Sequence, residues 1–475
     1  MSKIMKFIFI VIVLIVATVR SPQAVEANGK IAQAVTVCDV EDGPRSFETD
    51  HFHINYDSIQ GGLTIEDYAN ALEEIYAFEV DSYGWAAPPL CTASACGGNA
   101  NPWGKYPVQI SGGIDEGVLG YVTGGGEYAG YIIGDNPNTP VVEAFSSSTC
   151  MVLSDDYSKF GSNPSEILRE TVAHEFFHAI QEGYGDDNAA PESNMWYESS
   201  AVYIEDEVVD ESINDNQYLW PRVENCLADW PDGAEPEELS AYSNFLLFRY
   251  AAEQTGGAYL PGGGEDVIQF MWQNIAAEQP AIVAFDNALR SKGQTLSSLF
   301  HTYAIAVKYS RSCGGRYVAP YCFEEGNEYR NSTSSLPQTH GSLADVNEIS
   351  LNGTIRDDYA INWIVLPTNR RFDLTIENNA SGGELQATIA CDSGTEIRTT
   401  SLSSAPLSSG GAAQINAVDT TGCIESTLVI TNQARSDNAA VCSTRSYTVT
   451  RSALTSPAPN TEAVSLYLPL IAVLN

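Results

Sequence analysis

His174, Glu175 and His178 form an HExxH set in a 475-residue chain that holds only six histidines. On an α-helix, positions i and i+4 share one face about a turn apart, so both imidazoles can turn a ring nitrogen toward a single metal ion. Nitrogen and carboxylate donors suit zinc. A zinc with three protein ligands keeps a fourth position for water and lowers that water's pKa toward about 7. The proton released needs an acceptor close by, and Glu175, between the histidines, is the candidate general base. Glu198 is the candidate third ligand, with Glu192 and Glu205 as rivals on the same segment. Chance would place an HExxH in such a chain about 0.005 times, which sets the coincidental reading well behind the chemical one.

The elements needed to hold these groups are legible around them. Asn163 fits a helix N-cap, Pro164 the first helical position, and Glu166 the third residue of a capping box. Leu168, Val172, Phe176 and Ile180 then recur every four residues as an apolar stripe, and Gly183 is placed to end the helix in a left-handed conformation. A second helix is expected over Asn194–Val209, with Met195, Val202, Ile204 and Val208 on its apolar side. Ser46–Tyr56 reads as a strand and Thr64–Glu79 as a helix.

Nineteen residues separate His178 from Glu198. With HExxH and the segment Trp196–Asp206, this spacing resembles the gluzincin branch of the zincin metallopeptidases, secreted bacterial enzymes distantly related to thermolysin. The resemblance covers about residues 45–310. It implies an α+β chain, with a zincin-like metallopeptidase domain at 28–340 that takes His174, His178 and Glu198 as zinc ligands and Glu175 as base. It also implies hydrolysis of protein or peptide substrates, and a substrate-binding edge strand at Thr149–Tyr157. The chain departs from the thermolysin pattern at Val202, where the family carries an Asp that orients one histidine. Glu205, Asp206 or a main-chain carbonyl is left to accept that ring's other N–H. Tyr242 and His301 are the candidates for stabilising a tetrahedral oxyanion.

The ends and the cysteines bear on location. Lys3 and Lys6 precede the apolar run Phe7–Val19, so residues 1–27 read as a signal peptide cut near Ala27, with a second candidate cut after Ala34. A retained anchor is the alternative. The run is shorter than the roughly 18–20 residues a spanning helix needs, so no stable membrane insertion is expected after cleavage. The ten cysteines read as disulfides of a secreted or cell-surface protein. Cys91 with Cys96 and Cys313 with Cys322 are close enough for local loops, and of the three cysteines beyond 390 at least one must pair outside that group or stay free.

Sixty-one acidic against 23 basic residues give a net charge of -38, which excludes nucleic acid as a partner because phosphates must be met by Lys and Arg. Acidic loops can hold Ca2+, and Asp155–Asp156 and Asp186–Asp187 are the candidates. His51 and His53, two apart on the expected strand, are a candidate second metal pair. Glycine runs at 124–126 and 262–264 lack the Lys-Ser/Thr that a phosphate loop requires and read as turns.

Helices are expected at Leu239–Gln254, Glu265–Asn274, Ala281–Arg290 and Leu296–Tyr309. From about 345 the texture changes to short alternating runs rich in Ser, Thr, Gly and Asn, at Tyr359–Val365, Phe372–Ile376, Leu385–Ile389, Leu428–Ile430 and Tyr447–Val449. That pattern predicts an all-β sandwich over 345–455. It looks like the small jelly-roll or sandwich modules appended to secreted bacterial peptidases, a resemblance that implies a module for binding glycan or a protein surface. A Pro/Ser linker and short apolar tail follow over 456–475. Asn331, Asn352 and Asn379 each open an Asn-x-Ser/Thr triplet. Two other readings stay open: a non-catalytic adhesin with a structural metal, and a zinc hydrolase acting on a non-peptide substrate.

Overall fold

The computed structural model describes residues 37–455 except 41–42, 97, 99, 116, 186–193, 210–225, 228–241, 243, 257–265, 315, 333–336, 380–382, 404–405 and 436–441. Residues 1–27, expected as a signal peptide, Asp186–Asp187, Glu192, the glycine run at 262–264 and residues 456–475 lie outside the described residues. The chain is α+β and divides into two units. The first runs to Gln338 and takes in Arg356–Ile361 and Thr431–Thr444; the second is Thr339–Ile355, Asn362–Ile430 and the chain from Arg445.

The first unit opens on β1 (Arg45–Glu48) and β2 (Phe52–Tyr56), an antiparallel pair in which Phe47 faces Ile54. The single strand expected at 46–56 is therefore two. Thr49 N–H donates to the Phe52 carbonyl at 3.0 Å and closes the turn between them. His51 falls in that turn, stacked on Tyr76 at 3.7 Å and paired with Glu73. His53 stays on β2, stacked on Trp103 at 3.7 Å and bonded to Glu48. A turn breaks the two-residue alternation, so the two rings part and the expected second metal pair does not form.

α1 (Ile65–Tyr76) starts in a Thr64–Asp67 capping box and runs into a π-helical turn at Ala77–Ser82. It lies on the crossover between β2 and β3 (Tyr106–Ser111), as a parallel pair requires. β4 (Gly120–Thr123), the small β5 (Ile132–Gly134) and β6 (Ser146–Ser147) pair, and β7 (Cys150–Ser154) follow. The main sheet has the order β1-β2-β3-β7-β4.

This order overturns the expectation for Thr149–Tyr157. β7 is interior, parallel to β3 on one side and antiparallel to β4 on the other, and all five of its residues are buried. An unbroken apolar run such as Met151–Leu153 suits a strand covered on both sides. The edge next to it is the short, glycine-flanked β4.

α2 (Pro164–Tyr184) packs on this sheet and is buried on nearly all sides. Leu168, Val172, Phe176 and Ile180 are buried as the stripe predicts. Phe176 meets Phe52 at 5.5 Å and Tyr106 at 6.0 Å, fastening the helix beneath β2 and β3, while Phe177 turns the other way onto Trp85 at 4.7 Å. Asn163 bonds the Glu166 side chain instead of the helix backbone. Gly183 is not the terminator. It lies inside the helix, where a Cβ would come within 2.9 Å of Asn136 Nδ2 and 3.1 Å of Pro89, so its missing side chain allows a close approach.

α3 (Asn194–Val208) returns beside α2. α4 (Phe245–Thr255), α5 (Asp266–Ala276), α6 (Ala281–Ser291), α7 (Leu296–Tyr309) and α8 (Gly326–Ser332) follow among the described residues. α4 covers the second part of the Leu239–Gln254 expectation, with Asn244 at its cap, while residues 239–241 and 243 lie outside the described ones.

The strands beyond residue 340 are β8 (Gly341–Ser342), β9 (Ser350–Arg356), β10 (Ala360–Val365), β11 (Arg371–Asn378), β12 (Leu385–Asp392), β13 (Ile397–Ser401), β14 (Ala412–Asp419), β15 (Glu425–Asn432) and β16 (Thr444–Arg451). They form two sheets, ordered β13-β12-β15-β10-β8 and β14-β11-β16-β9. Burial alternates along β9, β11 and β16, the pattern of strands with one covered face. Asn362 on β10 donates to Tyr447 Oη on β16 at 2.8 Å, joining one sheet to the other.

All ten cysteines pair, as Cys38–Cys150, Cys91–Cys96, Cys226–Cys442, Cys313–Cys322 and Cys391–Cys423. The two local loops are present, and Cys442 is the late cysteine that pairs outside its group. Disulfides of this number are rare in reducing compartments. No described helix is long and apolar enough to cross a membrane.

Candidate metal centre

α2 and α3 bring His174, His178 and Glu198 together. The two Nε2 atoms stand 3.1 Å apart, and Glu198 Oε2 is 3.3 Å from each. Donors held at about 2.0–2.2 Å around a tetrahedral zinc lie about 3.3 Å from one another, so this triangle has the size a zinc site needs.

Tautomers support the same reading. Gln181 Nε2 donates to the Tyr197 carbonyl at 3.0 Å and to Ser200 Oγ at 2.9 Å, which leaves Oε1 as the acceptor facing His178 Nδ1 at 2.7 Å. His178 Nδ1 therefore carries the hydrogen, and the Nε2 lone pair of the neutral ring points inward. His174 Nδ1 meets Glu205 Oε2 at 3.2 Å to the same effect. Two imidazole lone pairs and one carboxylate oxygen thus converge, an arrangement that a bound cation relieves.

Glu205 is thereby the partner of His174, not a ligand, and Asp206 turns away to Arg249 at 3.4 Å. Tyr197 stacks flat on His178 at 4.3 Å, and its hydroxyl donates to Glu182 Oε1 at 3.1 Å. Tyr242 lies over His174 at 6.0 Å with ring planes 20° apart. His301 sits elsewhere in the unit, its Nδ1 2.8 Å from Thr431 Oγ1.

Glu175 is buried against the edge strand. The Val122 N–H bonds its carboxylate, and a Cβ on Gly120 would lie 3.2 Å from its Cγ and 3.0 Å from Thr171 Cγ2. Burial pushes the Glu175 carboxyl above the usual carboxylate range, while the imidazoles of His174 and His178 pull the other way. Burial would also raise Glu198, but His178 and His174 outweigh it and hold that carboxylate well below its ordinary range. The two carboxylates are thus shifted in opposite directions.

Gln181, Gly120 and the Val122 N–H were not singled out from sequence. Gln181 lies three residues past His178 and so shares its helix face, which was an available signal. Gly120 and Val122 carried none, because β4 comes against α2 only once strands distant in the sequence have paired into the sheet. Asp155 and Asp156, the calcium candidates, are not part of a group of three such metal donors. Asp155 accepts from Gln60 at 2.8 Å, Asp156 accepts from the Ser158 N–H at 3.1 Å, and among the described residues only His174, His178 and Glu198 group as metal donors.

No family model matches the chain, and no curated protein does. Solved structures that match include that of the infectious bursal disease virus Gx strain, at 18% identity over 22% of this chain and 30% of that one, with a TM-score of 0.15. A likeness of that size carries no argument about fold.

Proposed function

We propose that the chain is a secreted, zinc-dependent endopeptidase of the gluzincin type, with a zincin-like catalytic domain and a C-terminal β-sandwich. The observation that carries this reading is the convergence of three zinc-sized acceptor atoms beside a buried carboxylate. His174, His178 and Glu198 would hold the ion, which when bound supplies a Lewis acid for a carbonyl and acidifies water.

The rest falls to the chain's own groups. Glu175 takes the proton of the attacking water on its carboxylate and passes it to the departing amine nitrogen. Its raised proton affinity suits both transfers. Glu205 and Gln181 hold the imidazoles in the ligating tautomer. Among the described residues β4 ends the sheet beside Glu175, and an edge strand there can align an extended peptide by main-chain hydrogen bonds. Tyr242, against His174, is the better placed of the two oxyanion candidates.

The adhesin reading would ask for a fourth protein donor, since structural zinc sites are closed by four. Among the described residues the group has three. A zinc hydrolase of non-peptide substrates shares every feature but the substrate. Zinc analysis and cleavage of denatured casein, by wild type and Glu175→Gln, test the proposal. Both proteins should bind one zinc, and the variant should lose at least about 10²–10⁴-fold in rate. Zinc-loaded wild type that cleaves neither casein nor its own loops would remove the peptidase assignment.

A further inference from the structure

A cleft of about 480 Å³ in the second unit carries chemistry that the metal centre does not use. It is lined by His340, Asn352, Asn362, Asn379, Ser446 and Tyr447, with Gly353 and Thr354 between them. In a chain with 61 acidic residues, this lining contains none, and no Lys or Arg.

The polar groups are arranged so that part of each is committed and part is left over. Asn362 Nδ2 donates to the Thr354 carbonyl at 2.7 Å and to Tyr447 Oη at 2.8 Å, leaving Asn362 Oδ1 to accept and the Tyr447 hydroxyl to donate. Asn379 Nδ2 donates to Thr448 Oγ1 at 2.7 Å, and that hydroxyl donates to Asn352 Oδ1 at 2.8 Å. Asn379 Oδ1 and the Asn352 amide hydrogens remain. His340 Nδ1 accepts the Trp363 N–H at 3.2 Å, so its hydrogen sits on Nε2. Burial pushes the His340 pKa down to about 4, so the ring is neutral above that pH.

The Tyr447 ring is held under the strand by Gly353, where a Cβ would come within 2.3 Å of it. Gly353 therefore opens the floor of the cleft. Donors at Asn352, Tyr447 and His340 thus share the lining with acceptors at Asn362 and Asn379. No formal charge is present to recognise a phosphate, a carboxylate or a metal ion. Closely spaced neutral groups that both donate and accept are what such a lining complements, and vicinal hydroxyls are that pattern.

We propose that the cleft of the second unit formed by His340, Asn352, Asn362, Asn379 and Tyr447 is a binding site for a neutral saccharide. The site is independent of the metal centre and of the peptidase reading. Asn352 and Asn379 also open glycosylation triplets, so a chain that carried a covalent glycan there would fill the cleft by another route.

The test uses the full chain carrying Glu175→Gln, titrated calorimetrically with maltohexaose, cellohexaose, xylohexaose and chitohexaose, and with oligogalacturonate as the charged comparison. At least one neutral oligosaccharide should bind, and Asn352→Ala should weaken it by about tenfold, the loss of one or two hydrogen bonds. Asn352→Asp keeps the shape and guards against misfolding. Removing the amide donors, it should weaken binding too, with an unchanged Tm. Binding of oligogalacturonate alone, affinity indifferent to both variants, no binding of any neutral sugar up to millimolar concentration, or an intact mass showing glycan on Asn352 or Asn379 would each overturn the proposal.

Discussion

Replacing Gln181 by methionine keeps roughly the side-chain volume but removes the acceptor 2.7 Å from His178 Nδ1. The ring then loses the contact that assigns its hydrogen to Nδ1, and the inward lone pair at Nε2 is no longer imposed. Loss of such a partner typically costs about 10- to 100-fold in metal affinity, or about 1.4–2.7 kcal/mol. The Tyr197 carbonyl also loses its 3.0 Å donor in a buried setting, a stability cost of about 1–3 kcal/mol that must be kept apart from the first.

Zinc affinity measured by competition with a chromophoric chelator reads the first effect. The Tm of the chelator-stripped protein reads the second. Ser200→Ala serves as the control, because it removes one acceptor of Gln181 Nε2 and leaves the Oε1 contact in place. Its zinc affinity should stay near that of wild type. Equal zinc affinity in Gln181→Met and wild type would refute the tautomer argument, and with it the role given to the carboxamide.

Gly120→Ala places a methyl 3.0 Å from Thr171 Cγ2 and the Val152 carbonyl and 3.2 Å from Glu175 Cγ, an overpacking of about 1–3 kcal/mol. Steady-state kinetics should show kcat/KM reduced by about tenfold or more with zinc content unchanged, and unaltered kinetics would separate β4 from the chemistry. Burial pushes the His301 pKa down to about 4. Its folded value lies below the unfolded one of about 6.5, so the stability tied to the neutral ring is complete above pH 6.5 and is lost as pH falls toward 4, by about 3 kcal/mol in all. Denaturant melts across that window should show the slope in wild type and a flatter one in His301→Gln; parallel curves would contradict it.

What could be read along the chain was whatever closes within a few residues. An α-helix makes its hydrogen bonds four residues apart and repeats every 3.6, so α6 and α7 lie where their periodicity placed them, and the HExxH pair sits on one helix face as spacing alone requires. β10, β11, β12, β15 and β16 announced themselves as short strand-forming runs, β13 and β14 were not named, and the two short cysteine loops followed from proximity. Strand order has no such local signature. Ser46–Tyr56 became a hairpin, β7 moved from the edge to the interior, and β4 took the edge, because pairing joins residues far apart in the chain and is settled by which face each strand can bury.

The same holds for the candidate centre. His174, Glu175 and His178 were named by type and interval. That Glu198 and not Glu205 completes the triangle depends on how α3 is rotated against α2, and that Gly120 presses on Glu175 depends on how the sheet lies on the helix. The neutral cleft is the extreme case. Its side chains come from β9, β10, β16, the residue after β11 and the residue before β8, and only the meeting of two sheets makes neighbours of them.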